Sequence, residues 1–149
     1  MPDFYRLELQ GLDTVRTGLK KAPAIAKQEV KKFMSSTVRH LTAEVVDRTP
    51  NVSGILRRSI GGSVDMLGVT PADGLGIVGI VGTSLDYAIP VELGVRPHER
   101  TSKKGKKFTH PGFSGRRMFA EAFVDNRAQI ESDFEQTVER IMQRIAEGK

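Results

Sequence analysis

The chain has 149 residues, 38% apolar and 28% charged, a balance that argues against disorder and fits one globular domain over residues 1–149. It has no cysteine, which excludes a disulfide framework and thiolate chemistry, and its longest apolar stretch, GLGIVGIVG at 74–82, is too short and too glycine-rich to span a bilayer. The net charge of +5 is local: residues 96–117 hold eight Lys/Arg against one acid, a net of +7, so the remainder carries −2, and residues 118–149 alone carry −3.

The opening MPDFYRLELQ carries charges where a secretory leader needs an apolar run, so no leader is expected. Within it, DFYRLEL (3–9) alternates and predicts a short strand. LDTVRTGLKK (12–21) predicts a short helix with Leu12, Val15 and Leu19 inward, and Pro23 suits the first turn of the next one. From 22 to 48, Ala26, Val30, Phe33, Met34, Thr37, Val38, Leu41 and Val45 recur at intervals of three and four, the stripe of a long amphipathic helix. TPNVSG (49–54) ends it, because Pro50 disfavours helical geometry at Thr49.

ILRRSIGGSV (55–64), GIVGIVGT (76–83) and YAIPVEL (87–93) are rich in β-branched or aromatic residues and bounded by turn formers, so they read as strands. SLD would close a hairpin between the last two, with Pro90 placing the final strand at an edge or bulge. An extended basic loop without period follows at 95–115. Residues 116–148 predict a second long helix with Phe119, Phe123, Ile130, Phe134, Val138, Ile141 and Ile145 inward, Ser114 as its cap and Gly148 as its close. The expected class is α+β: a small antiparallel sheet packed against a long N-terminal and a long C-terminal helix, with a long basic loop.

Residues that could carry chemistry do not converge. His40 lies one position from the apolar stripe, so it reads as a boundary side chain. His98 and His110 with Glu99 could approach a metal, but the intervening lysines repel a divalent cation and the spacing fits no ligand pattern. No serine stands in a G-x-S-x-G elbow, and GLGIVG lacks the Lys-Ser/Thr ending of a phosphate loop. Asp86 and Glu92 read as solvated turn and strand-end residues. No enzymatic activity, metal or cofactor is expected. HERTSKKGKKFTHPGF (98–113) keeps three readings: neutralisation of a nucleic-acid backbone, docking on a neighbour's acidic face, or a solvated surface.

Three motifs occur in order along nearly the whole chain. TPNVSGILRRSI places Pro50, Ser53, Gly54, Leu56, Arg57, Ser59 and Ile60. VGIVGTSLDYAIPVELG places Tyr87, Ala88, Glu92 and Gly94. HPGF, ahead of MFAEAF, places His110, Pro111 and Gly112. The ordered set resembles the tail-completion and head–tail joining (neck) proteins of long-tailed bacteriophages, with Pro90 and the proline-free RRMFAEAF departing from the pattern. The resemblance implies a non-enzymatic structural protein of the virion, assembled in the host bacterial cytoplasm. It implies a sixfold or twelvefold homo-oligomeric ring at the neck or upper tail, through which the genome passes. Partners would be connector or head-completion proteins and tail-terminator or tail-tube proteins, with no membrane.

Arg57 and Arg58 are then expected to support a loop or pair with a neighbour's acid, with plain surface charge the alternative, and Glu92 to make a ring contact at the end of an edge strand. Arg96, Arg100, Lys103, Lys104, Lys106, Lys107, Arg116 and Arg117 are expected to contact an acidic surface of an adjacent subunit, such as the C-terminal helix. Non-specific contact with double-stranded DNA comes second, and a basic nucleic-acid-binding protein that uses residues 96–117 is the alternative function.

Overall fold

A computed structural model describes residues 5–8, 23–67 and 76–146; the short helix expected at 12–21 and the Gly148 stop lie outside these residues. The order is β1 (Tyr5–Glu8), α1 (Pro23–Arg48), α2 (Ile55–Ser59), β2 (Gly61–Leu67), β3 (Gly76–Gly82), α3 (Ala88–Leu93), β4 (Gly94–Val95), β5 (His98–Thr101), β6 (Lys107–His110), β7 (Phe113–Ser114) and α4 (Met118–Ala146). The architecture is α+β. Both long helices form where their apolar periodicity predicts them.

α1 buries all eight stripe residues, from Ala26 to Val45. Pro23 opens it without loss, since the first helical N–H has no intrahelical partner. α4 lies antiparallel to α1, as the pairs Glu29 with Arg144, Phe33 with Phe134, and His40 with Asn126 require. The Phe33 and Phe134 rings meet at 5.5 Å with a 52° tilt. Met34, Leu41, Met118, Phe119 and Ile141 fill the space between the helices and their neighbours, each fully buried. Burying a side chain of this size stabilises the fold by about 1.5–3 kcal/mol.

The antiparallel sheet has the order β1-β3-β2, with Val64 opposite Gly79 and Leu7 opposite the same residue from the other side. Its glycines decide how close it comes to α1. A Cβ at Gly79 would lie 2.6 Å from the Val38 side chain and one at Gly62 2.3 Å from it, so only glycine lets the sheet seat on the helix there.

Three expectations give way. YAIPVEL is not an edge strand closed by an SLD hairpin. Residues 88–93 form α3, because Ala88 N–H donates to Leu85 O (2.9 Å) and Val91 N–H to Tyr87 O (3.4 Å), while Pro90 falls in the first turn, where its missing N–H is no loss. ILRRS is the short helix α2, opened by Arg58 N–H on Gly54 O (3.1 Å), and the strand begins only at Gly61. The loop expected over 95–115 is instead two antiparallel pairings, β4 with β7 and β5 with β6. No helix among the described residues is long and apolar enough to cross a membrane.

Candidate functional site

The motif residues of the second and third stretches meet at the start of α4. Glu92, on α3, is 2% exposed, and its two carboxylate oxygens accept the N–H groups of Phe119 (3.1 Å) and Ala120 (3.0 Å). These are the second and third residues of α4, so a carboxylate from a distant helix takes the place of a local N-cap and faces the positive end of the helix dipole. Arg117, at the cap position itself, has φ 50° and accepts Glu121 N–H at 2.8 Å. Ser114, expected as the cap, sits in β7 opposite Gly94. The expectation of Glu92 as a solvated strand-end or an inter-subunit contact is therefore corrected: its carboxylate is enclosed in its own chain.

The backbone around Glu92 is crossed tightly. Arg116 N–H donates to Val91 O (2.8 Å) and Arg117 N–H to Glu92 O (3.1 Å), binding the segment before α4 to α3. A Cβ at Gly115 would stand 2.2 Å from Glu92 O, and one at Gly112, whose φ is +74°, 2.3 Å from Val95 O. His110 Nδ1 accepts the Gly112 N–H at 3.0 Å, so His110, Pro111 and Gly112 form a locally braced bend. Ala88 is fully buried, whereas Tyr87 is half exposed at the start of α3.

The first motif has a comparable structural use. Arg57 Nε donates to Thr49 O (2.8 Å) and its NH2 to Asp47 O (3.3 Å), closing carbonyls at the end of α1 with a cation at the negative end of the dipole. Leu56 is buried beneath it, Pro50 marks the helix end, and Arg58 stays exposed with a guanidinium nitrogen 3.0 Å from where a Gly54 Cβ would be.

Between the two crossing segments rises a two-stranded ribbon, β5–β6. Its register is His98 with His110, Glu99 with Thr109, Arg100 with Phe108 and Thr101 with Lys107. The tip closes by Ser102 N–H to Lys106 O (2.8 Å) and Gly105 N–H to Ser102 O (2.9 Å), with Gly105 at φ +77°. That is a turn followed by a left-handed glycine, a common way to close a short hairpin. One ribbon face carries the two stacked imidazoles, 5.2 Å apart at their centroids, with Arg100 and Phe108 beyond them. Both Nδ1 atoms are engaged by backbone, His98 with Arg96 O at 2.9 Å and His110 with Gly112 N–H.

Every residue of β5 and β6 except His110 is exposed. So are Arg96, Arg100, Lys103, Lys104, Lys106, Lys107, Arg116 and Arg117, and none of these eight enters an ion pair among the described residues. The charges elsewhere contrast with this. Glu29 is held by Lys32 (3.1 Å) and Arg144 (2.8 Å), and Arg48 binds both Glu44 and Asp125. The hydrogen bond from Lys32, opposed by burial and aided by the Lys32, Arg144 and Arg140 charges, keeps the Glu29 carboxyl below its ordinary range. A groove of about 600 Å³ runs beside this cluster between α1 and α4, lined by residues that include Thr37, His40, Asp133, Thr137 and Arg140. Several of its polar groups are already engaged: His40 Nε2 meets Asn126 Oδ1 at 2.7 Å, and Thr137 Oγ1 donates to Asp133 O and accepts from Arg140, each at 2.8 Å.

Sequence reasoning found the cations but not the ribbon that carries them, nor the capping role of Glu92. The ribbon has polar residues on both faces, so hydrophobic alternation is silent; the available signal was the Ser-x-x-Gly turn between HERT and KFTH. No protein-family model, curated protein or solved structure compared with the chain matches it, so the resemblance to phage neck proteins rests on its motif residues.

Proposed function

We propose that the chain is a non-enzymatic structural protein of the tailed-bacteriophage virion, a ring-forming component of the head–tail connection that joins connector to tail tube around the DNA passage. One observation carries the reading: eight exposed cations without ion-pair partners among the described residues lie on and beside a ribbon held by the motif residues themselves. Gly94, Gly112 and Gly115 brace its base and Glu92 locks that base to α4, so the ribbon leaves the domain from a stiff foot. A surface so charged and so well anchored is suited to a partner rather than to its own fold. Negative-stain electron microscopy of the purified chain, alone and added to tails or connectors, tests the proposal. Closed rings or defined decoration of particle ends are expected; a monomer that joins no particle overturns it.

A second reading, a basic nucleic-acid-binding protein, is favoured by the shape of the same element, because a two-stranded ribbon is narrow enough for the major groove of duplex DNA. It predicts binding to mixed-sequence duplex that falls steeply with salt, and neutralising Lys103, Lys104, Lys106 and Lys107 flattens that slope.

A further inference from the structure

The ribbon is not only cationic. Phe108 and Phe113 are each 47% exposed, one on β6 and one at the ribbon's base in β7, and Leu93 at the end of α3 is 73% exposed. Neutralising phosphates accounts for the lysines but leaves these apolar groups in water. A protein surface that alternates acids with apolar side chains satisfies both.

Such a surface lies on this chain. At about 100° per residue along a helix, Glu121, Val124, Ala128, Glu135, Glu139 and Met142 share one stripe of α4, on the side away from buried Phe119, Ile130 and Ile141. All six are exposed, Val124 at 71% and Met142 at 47%. Glu121, Glu135 and Glu139 enter no ion pair among the described residues, just as the ribbon cations do not. Dimensions agree: Ala128 to Glu135 runs about 10 Å along α4, and the ribbon from the Arg100–Phe108 pair to its tip reaches about the same.

We infer that the ribbon of one copy docks along the outer acidic stripe of α4 of the next copy, with Phe108 set against the Val124–Ala128 segment and the tip lysines against Glu135 and Glu139. The inference rests on the ring reading and specifies its joint. Because the two surfaces are different patches, the contact is head-to-tail, the kind that closes into a ring or runs on as a filament. Opposite charge sets its register and speeds encounter, and the apolar side chains supply the buried centre.

The absence of cysteine makes the test clean. Lys104→Cys and Glu135→Cys are made as separate full-length chains and treated with a short bismaleimide. A cross-linked dimer is expected in the mixture and neither with one variant alone nor at high salt. In parallel, Lys103, Lys104, Lys106 and Lys107 are changed to Glu in one chain, and Glu121, Glu135 and Glu139 to Lys in another. Each set weakens self-association by about a hundredfold or more, and a chain carrying both sets assembles again. Circular dichroism checks that all variants keep the wild-type helix content.

Wild-type rings that tolerate the α4 reversals, or that give no cross-link in the mixture, overturn this joint and leave the ring reading standing. A wild-type chain that joins neither itself nor a particle overturns both. If a labelled duplex binds to the ribbon while the oligomeric state ignores both sets of reversals, the surface belongs to nucleic acid and the inference is wrong.

Discussion

The interface between α1 and α4 and the ribbon β5–β6 treat charge in opposite ways. At the first, Glu29 meets Arg144 and Arg48 meets Asp125 across the two helices, and the same two residues pair with Lys32 and Glu44 within α1. On the ribbon no cation has an acid among the described residues. The first region spends its polar groups on holding one chain together. The second is held to the domain at its foot, by backbone crossings and by Glu92, and its cationic side chains enter no ion pair among the described residues. Charge satisfied within the chain helps hold the fold; on the proposed reading, the charge held out on the ribbon is there for a partner.

That contrast can be broken or sharpened by measurement, and the largest effect is expected in the core. Phe119→Ala empties a fully buried site and is expected to destabilise the chain by about 3–5 kcal/mol, read as a lower urea midpoint. Glu92→Ala comes next. It leaves the Phe119 and Ala120 N–H groups without their acceptor and costs about 2–4 kcal/mol, whereas Glu92→Gln keeps one acceptor and loses about 1–2 kcal/mol. A Glu92→Ala chain as stable as wild type would remove the capping role and the stiff foot with it. Arg57→Met uncovers the end of α1 and is expected to cost about 1 kcal/mol.

On the ribbon the expectation reverses. Changing Lys103, Lys104, Lys106 and Lys107 together to Ser shifts stability by no more than about 0.5 kcal/mol, as for exposed sites generally. A loss as large as that from Glu92→Ala would show that the ribbon is part of the fold, and the contrast would collapse.

Acid gives the smallest and finest test. The Glu29 carboxyl titrates below its ordinary value of 4.5 in the folded chain, chiefly through the Lys32 hydrogen bond. Its folded pKa is lower than its unfolded one, so its stabilisation is complete above the unfolded value and is lost as pH falls through the folded one. Glu29→Gln is therefore expected to narrow the stability gap between pH 6 and pH 3, measured by urea unfolding at each pH, and the lysine changes on the ribbon to leave that gap as it is. Equal narrowing in both would place the acid-sensitive charges outside the helix interface.

Local pattern and distant contact divide this protein unevenly. The stripe from Ala26 to Val45 and the run from Phe119 to Ile145 are legible in sequence because a period near 3.6 over many turns admits one structure. β3 is legible from its β-branched run, and the turn at Thr49–Pro50 from the restriction that proline imposes on the residue before it. Over six residues a short helix and a strand share a composition, so 88–93 reads as a strand in sequence and proves a helix only through Leu85 O and Tyr87 O, which accept the N–H groups of Ala88 and Val91. The ribbon was silent because neither face is apolar. The candidate surface was half legible: its cations are plain in the sequence, but their lack of partners is a statement about space.

The sequence by itself determined where the two long helices run, that the class is α+β, and that positive charge is gathered in one segment while the last helix is acidic. Tertiary structure alone decided that Glu92 belongs to the start of α4, that Arg57 closes α1, and that the basic segment is a braced ribbon rather than a loop. The reason is physical. Helical periodicity is written in neighbours three and four residues apart, whereas Glu92 reaches N–H groups 27 and 28 residues away, and only the folded chain brings the two together.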